Sequence, residues 1–352
     1  MTLLRIIPLV IVGFCITNQP TRGQNPPKVT IAFYNLENLF DPSDNPNTLD
    51  EDRTPTGKDR WTEERLKVKL DRLAEVLAQF GGAALIGVCE VEQVSVLQAL
   101  VAQPTIAHWN YQIIHQDSPD PRGIDVALLY RPDLFEPWEY RAIPVHLIQS
   151  NGMRRFTRDI LLVEGLLYTG DPHITPEQIW VGVNHWPSRS GGQSRSNPYR
   201  VKAAQTALRA IDSIRREYPE AKILHMGDFN DDPSSESFTQ VLQASAKPQD
   251  SSWNRLFNPM IELDKRGLGS LAYRDRWSLF DQFFMAQTLA QAPQGWQFQS
   301  ASIFSHPRLV TANGRFKGYP NRTYNGGTYN GGYSDHFPIL LELVWVDGST
   351  ER

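Results

Sequence analysis

Apolar runs of strand length repeatedly end in a polar side chain that is costly to bury. Val29–Tyr34 leads into Asn35, with Glu37 just beyond, and Ala84–Cys89 leads into Glu90. Trp180–Val183 leads into Asn184 and His185, and Lys222–Met226 leads through Gly227 into Asp228, Phe229 and Asn230. Asp281 follows Leu279 and Phe280, and Ser334, Asp335 and His336 stand directly before Phe337-Pro338-Ile339-Leu340-Leu341. A buried strand that carries a carboxylate at its end puts charge on the rim of a sheet. There the charge must be hydrated, paired or metal-bound. Each ending alone has a plainer explanation. Asn35 and Asp228 suit turns, Glu90 suits the first turn of a following helix, and His185 suits a loop start. Asp281 is harder to explain this way, since unpaired buried acids are rare. Together the six endings predict one shared cleft.

The remaining apolar runs extend the same frame. Asp125–Tyr130, Ile160–Leu167, Ser278–Met285 and Phe337–Trp345 read as buried strands. Leu66, Leu70, Leu73 and Leu77 share one helical face, as do Val201, Ala204, Leu208 and Ile211. Thr62 is the expected N-cap of the first helix, with Glu63 and Glu64 at its positive end, and Pro219 closes the second. Many strands with occasional helices predict mixed sheets packed face to face with helices outside, not a strict βαβ repeat. The stretch from 41 to 60 is polar and turn-rich, and Tyr319 to Tyr333 is a loop rich in Gly, Asn and Tyr. Neither an internal repeat nor a Pro/Ser linker divides the chain.

The first residues have a different character. Arg5 precedes the apolar run Ile6–Ile16, and the small residues Thr21 and Gly23 lie before Gln24. This is the layout of a signal peptide over residues 1–23, cleaved near Gly23, which places the mature protein outside the cytoplasm, secreted or periplasmic. A buried N-terminal strand is the competing reading. The run is short for a membrane span, and no second segment resembles one, so no stable membrane span is expected. Cys15 would leave with the leader. Cys89 alone could form no internal disulfide and reads as a small buried residue. The net charge of −4 gives no bulk attraction to nucleic acid, although local basic patches can still hold phosphate.

The order Asn35, Glu90, Asn184-His185, Gly227-Asp228-Phe229-Asn230, Asp281 and Ser334-Asp335-His336 resembles the endonuclease/exonuclease/phosphatase superfamily. The runs YNLENLFD, VNHWPSRSGG and GGYSDHFPI look like an exported bacterial branch of it. The resemblance covers residues 28–346. It implies an α/β (α+β) fold, a four-layer sandwich of two facing mixed sheets flanked by helices, with the site at one edge of the sheets. It further implies that His336 pairs with Asp281, that Asp228 and Asn230 orient the nucleophile, and that His185, supported by Asn184, meets the phosphate or the leaving oxygen. Asn35, Glu90 and Asp335 would be the metal ligands. Hard oxygen donors suit Mg²⁺, with Mn²⁺ or Ca²⁺ as alternatives, and no Cys/His group has zinc spacing. Arg189 and Arg195, together with Arg200 and Lys202, either grip phosphate or form a solvated face. Arg315, Lys317 and Arg322 present the same choice.

The leading expectation is therefore a metal-dependent, endonuclease-like hydrolase whose partner is a phosphodiester, nucleic acid first. Alternatives are a phosphatase or sphingomyelinase-like phospholipase, and a silent binding protein of the same fold. The complete set of motif residues argues against silence. The lack of a long apolar hairpin tip weighs against lipid. No protein partner is implied.

Overall fold

The computed structural model describes residues 25–248 and 255–348. The proposed leader, residues 1–23, lies outside the described residues. Along the chain, β1 (Lys28–Leu39) is followed by α1 (Glu63–Ala78), β2 (Leu85–Val91), α2 (Val94–Val101), β3 (Gln112–His115) and β4 (Asp125–Tyr130). Next come β5 (Phe135–Ile143), a small hairpin of β6 (Leu147–Ile148) and β7 (Arg154–Arg155), β8 (Ile160–Leu167), β9 (Glu177–His185), α3 (Gln193–Glu217) and β10 (Lys222–Asp228). Then α4 (Met260–Lys265) precedes a hairpin of β11 (Leu271–Tyr273) and β12 (Arg276–Ser278), followed by β13 (Asp281–Met285), α5 (Gln287–Ala290) and β14 (Gly295–Ile303). A last hairpin, β15 (Tyr324–Asn325) and β16 (Thr328–Tyr329), leads to β17 (Ile339–Val346).

Two mixed sheets result, ordered β14-β17-β1-β2-β4-β3 and β13-β10-β9-β8-β5. Alternation along the strands explains the layering. In β1, Ile31 and Phe33 face the second sheet and join Leu128, Val181, Val183, Leu224 and Met226 in the central core. Ala32 and Tyr34 point the other way, toward Leu70, Leu73 and Leu77 of α1 and Leu97 of α2. On the far side, Leu162, Trp180 and Ile223 pack against Ala203, Ala207 and Ile211 of α3. The four layers are thus helix, sheet, sheet and helix, as expected. Thr62 caps α1, its side chain accepting from the Arg65 amide.

Several local expectations are corrected. The helix α3 starts at Gln193 and runs through Pro198, earlier than the periodic residues alone indicate. The run Ser278–Met285 is broken, so that Asp281 opens β13 where it was expected to sit inside a strand. The β6–β7 hairpin exposes Ile148, Met153 and Phe156, an apolar tip that was not foreseen.

Candidate active site

Strand direction brings the polar endings together. β9 and β10 run parallel, with Asp228 beside His185. β13 is antiparallel to β10, so its first residue, Asp281, is the partner of Asp228. β17 is antiparallel to β1, and Phe33 pairs with Ile339, so His336 and Asp335 arrive at the same edge as Asn35. A charged residue before an antiparallel strand is thus equivalent to one after a parallel strand. Gly227 permits the close approach of β9 and β10, since a Cβ there would lie 2.3 Å from the Asn184 carbonyl oxygen.

Glu90 sits at a register shift between Cys89 and Val91, with φ of 59°. A bulge beside a site re-aims a side chain, and a left-handed glutamate costs free energy that the surroundings must offset. Asn230, with φ of 51°, lies in the same region of backbone space.

Asn35 bridges the two sheets. Its amide nitrogen donates to Glu90 Oε1 at 3.2 Å and to Asp228 Oδ2 at 3.1 Å, while its oxygen accepts from the Glu37 amide. Asn35, expected as a metal ligand, turns its amide nitrogen toward Glu90 and Asp228 and its oxygen toward the Glu37 amide. Glu90 also accepts from the Asn38 amide at 3.0 Å. Asp228 Oδ1 accepts from the Asn230 amide at 2.9 Å, and the Asn230 side chain donates to the Trp186 carbonyl.

Two imidazoles flank Asp228 in opposite states. His336 Nδ1 lies 2.6 Å from Asp281 Oδ2, which also accepts from the Ser270 hydroxyl. Its Nε2 lies 3.9 Å from Asp228 Oδ2. Burial disfavours the charged ring, but Asp281 and Asp228 outweigh it and hold the His336 pKa well above the usual range. His185 Nε2 lies 3.7 Å from the same Asp228 oxygen and 3.9 Å from Glu90. Burial, reinforced by Arg158 and Arg122, holds its pKa well below the usual range. Burial also raises the Asp228 carboxyl, with His336 opposing and Asp281 and Glu90 adding to the rise. The surroundings thus favour the charged form of His336 and the neutral form of His185 on either side of the Asp228 carboxyl.

Of the converging carboxylates, Glu90 and Asp335 keep partial solvent access, at 17% and 21%. Carboxylate oxygens with access to water are donors of the kind a hydrated divalent cation takes. Asp335 is also held by Arg322 at 2.8 Å.

The expected substrate contacts differ in exposure. Asn184 is fully buried, donating to the carbonyls of Gly182 and Met226 and accepting from Trp186, so it braces the strands. Arg189 is tied to the Asn230 carbonyl and to Asp232, with its guanidinium over the Phe280 ring. Arg195 is exposed near the start of α3. Arg200 is neither a phosphate grip nor solvated, because it is buried against Asp231 at 2.6 Å. Glu92, just beyond β2, is buried, which pushes its carboxyl up to about 7.

Sequence reasoning missed Arg158. Its Nε donates to the His185 carbonyl and its Nη2 to the Trp186 carbonyl, while Asp120 pairs with Nη1 at 2.9 Å. The signal was present in Thr157-Arg158-Asp159, a polar triplet running into an apolar strand. Lys69 and Ser270 carried no such mark.

The profile described as the Endonuclease/Exonuclease/phosphatase family matches residues 30–344. The chain belongs to that family. Its members are hydrolases, typically of phosphodiesters or phosphomonoesters, and generally depend on divalent metal. No curated protein matches the chain. Among solved structures, Danio rerio TDP2 complexed with single-strand DNA product is 15% identical, covers 90% of this chain and 98% of its own, and has a TM-score of 0.54. The human Nocturnin catalytic domain with bound sulfate is 15% identical over 92% of this chain and 96% of its own, at 0.52. A family protein from Bacteroides thetaiotaomicron is 15% identical over 92% of this chain and all of its own, at 0.52. At such identities the likeness shows a shared fold. Among the described residues no helix is long and apolar enough to cross a membrane.

Proposed function

We propose that this family member is a Mg²⁺- or Mn²⁺-dependent phosphodiesterase acting on nucleic acid. The observation that carries the reading is the convergence of the His336–Asp281 pair, His185 and Glu90 around Asp228 at one sheet edge. A phosphodiester needs positive charge on its non-bridging oxygens, a base for water and neutralisation of the leaving oxygen. Glu90 and Asp335 would hold the cation, which when bound neutralises charge on the phosphoryl and leaving oxygens. His336, kept protonated and oriented by Asp281, donates Nε2–H to a phosphoryl oxygen. Asp228, with its raised pKa, accepts a proton from the attacking water. Asn230 fixes the loop that follows it, and neutral His185 hydrogen-bonds the phosphate on the opposite side. The single-strand DNA product held by the zebrafish neighbour supports nucleic acid as substrate class.

The test is a screen over plasmid DNA, RNA, sphingomyelin and phosphoinositides with Mg²⁺, Mn²⁺ or EDTA. Cleavage of DNA or RNA that EDTA abolishes is the expected result. Turnover confined to the lipids, or unchanged by EDTA, overturns the reading. Export is part of the same proposal, resting on Arg5, the apolar run and the small residues before Gln24. N-terminal sequencing from the natural host should give a start near Gln24. Retention of Met1 in a cytoplasmic protein would refute it.

A further inference from the structure

We infer that His115, Asp117 and Asp125, none of them among the residues assigned to the cleft, form a second divalent-cation site suited to a transition metal such as Zn²⁺. His115 closes β3 and Asp125 opens β4, its antiparallel neighbour. One ligand atom from each of the three residues can be chosen so that all lie within 4.8 Å of one another.

The observation beyond mere clustering is the state of the histidine. The His115 side chain is only 6% exposed and that of Asp125 3%. Nε2 stands 3.2 Å from Asp125 Oδ2, yet it has no hydrogen-bond partner. The contact with Asp125 is thus close but lacks hydrogen-bond alignment, which leaves the buried nitrogen's hydrogen-bonding capacity unused. Two atoms each bound at about 2.1 Å to one tetrahedral metal lie roughly 3.4 Å apart, close to this separation. The carboxylate is prepared as a ligand, since the Ser118 amide and hydroxyl both hold Asp125 Oδ1, leaving Oδ2 toward the ring. Asp117 is exposed, with its Oδ1 3.8 Å from Nδ1, the other ring nitrogen, so its side chain must turn to become the third ligand of an ion held on Nε2. One imidazole with two carboxylates and water is a donor set that favours Zn²⁺ over Mg²⁺, because nitrogen suits the softer ion.

The site has a place in the architecture. Residues 116–124 connect its two strands and carry Asp120, which pairs with Arg158. Arg158 in turn holds the carbonyls of His185 and Trp186. A cation joining both ends of that loop would pin the support of the His185 backbone, whatever the substrate of the cleft.

The experiment uses the protein stripped with chelator and returned to excess Mg²⁺, with Zn²⁺ as probe. Thermal unfolding and bound zinc per chain are measured for wild type, Glu90→Gln and His115→Gln. Zinc at saturation should raise Tm by about 4 °C or more in wild type and Glu90→Gln alike. His115→Gln should lose that rise and bind one equivalent fewer. Equal zinc stoichiometry in His115→Gln and wild type overturns the proposal, as does the absence of any zinc effect on wild type. Should His115→Gln fail to fold, Asp117→Asn, an exposed substitution, must weaken zinc binding to wild-type fold by about tenfold, and unchanged affinity overturns the site.

Discussion

His336 and Asp281 meet at 2.6 Å although 55 residues separate them. They come from opposite sheets, one preceding β17 and the other opening β13. Asp281 is buried and receives the Ser270 hydroxyl on the same oxygen, so its charge is committed to orienting the ring. If the two act as a unit, Asp281→Ala and His336→Ala should each lower kcat by on the order of 10²-fold or more. The double variant should be little worse than the more damaged single one. Losses that multiply in steady-state kinetics would show independent action.

Glu90 carries the second prediction. It combines partial exposure with a strained backbone at a bulge. Glu90→Gln preserves shape while removing the charge that attracts a hard cation. The Mg²⁺ concentration giving half-maximal activity should rise by about tenfold or more. A metal titration superimposable on that of wild type would remove Glu90 from the ligand set.

Arg200 and Asp231 form a fully buried ion pair at 2.6 Å, with the Ser237 hydroxyl on the other carboxylate oxygen. Breaking such a pair leaves an uncompensated charge and costs about 3–5 kcal/mol. Arg200→Ala should show that loss in urea unfolding. A concerted replacement of both residues by apolar ones of similar volume should recover much of it. A loss below about 1 kcal/mol for the single variant would mean that solvent reaches the site.

The contrast between these residues explains what was legible in the sequence. Asp281 and His336 were visible because each interrupts or adjoins an apolar strand, where a charge needs a reason. The strands of the two sheets followed from apolar runs of strand length, and both main helices from period 3.6. Arg200 and Lys69 were hidden because a cation on a helix reads as its solvated face, and only a distant partner changes that. Thr323 and Tyr333, which receive Lys69, lie more than 250 residues away. The orientation of Asn35 was hidden for a related reason, since residue type names an oxygen donor but cannot say which end of the amide faces the carboxylates. Asn184 adjoins His185 in sequence, but strand alternation sends it into the core.

Lys69 supplies the final prediction, a dependence of stability on pH. It is buried beneath Glu37, with Nζ 2.6 Å from the Tyr333 carbonyl, 2.7 Å from the Thr323 hydroxyl and 3.8 Å from Glu37 Oε2. Burial lowers its pKa to about 8, although Glu37 and Asp335 oppose the fall. The unfolded chain holds its proton to near 10.5, so between these values the unfolded state binds more protons than the folded one. Stability attributable to this group therefore rises with pH across that window. Below pH 8 both states are charged, and the full cost of burying the ammonium is present. Lys69→Met keeps the stem and removes the titration. The stability of wild type minus that of Lys69→Met, measured by urea unfolding, should be flat below about pH 7. It should then increase by roughly 3 kcal/mol between pH 8 and 10.5. Subtracting the variant cancels the titration of tyrosines and other lysines common to both proteins. A difference that stays constant through pH 10 would show that the ammonium is as well solvated by its three partners as it is by water.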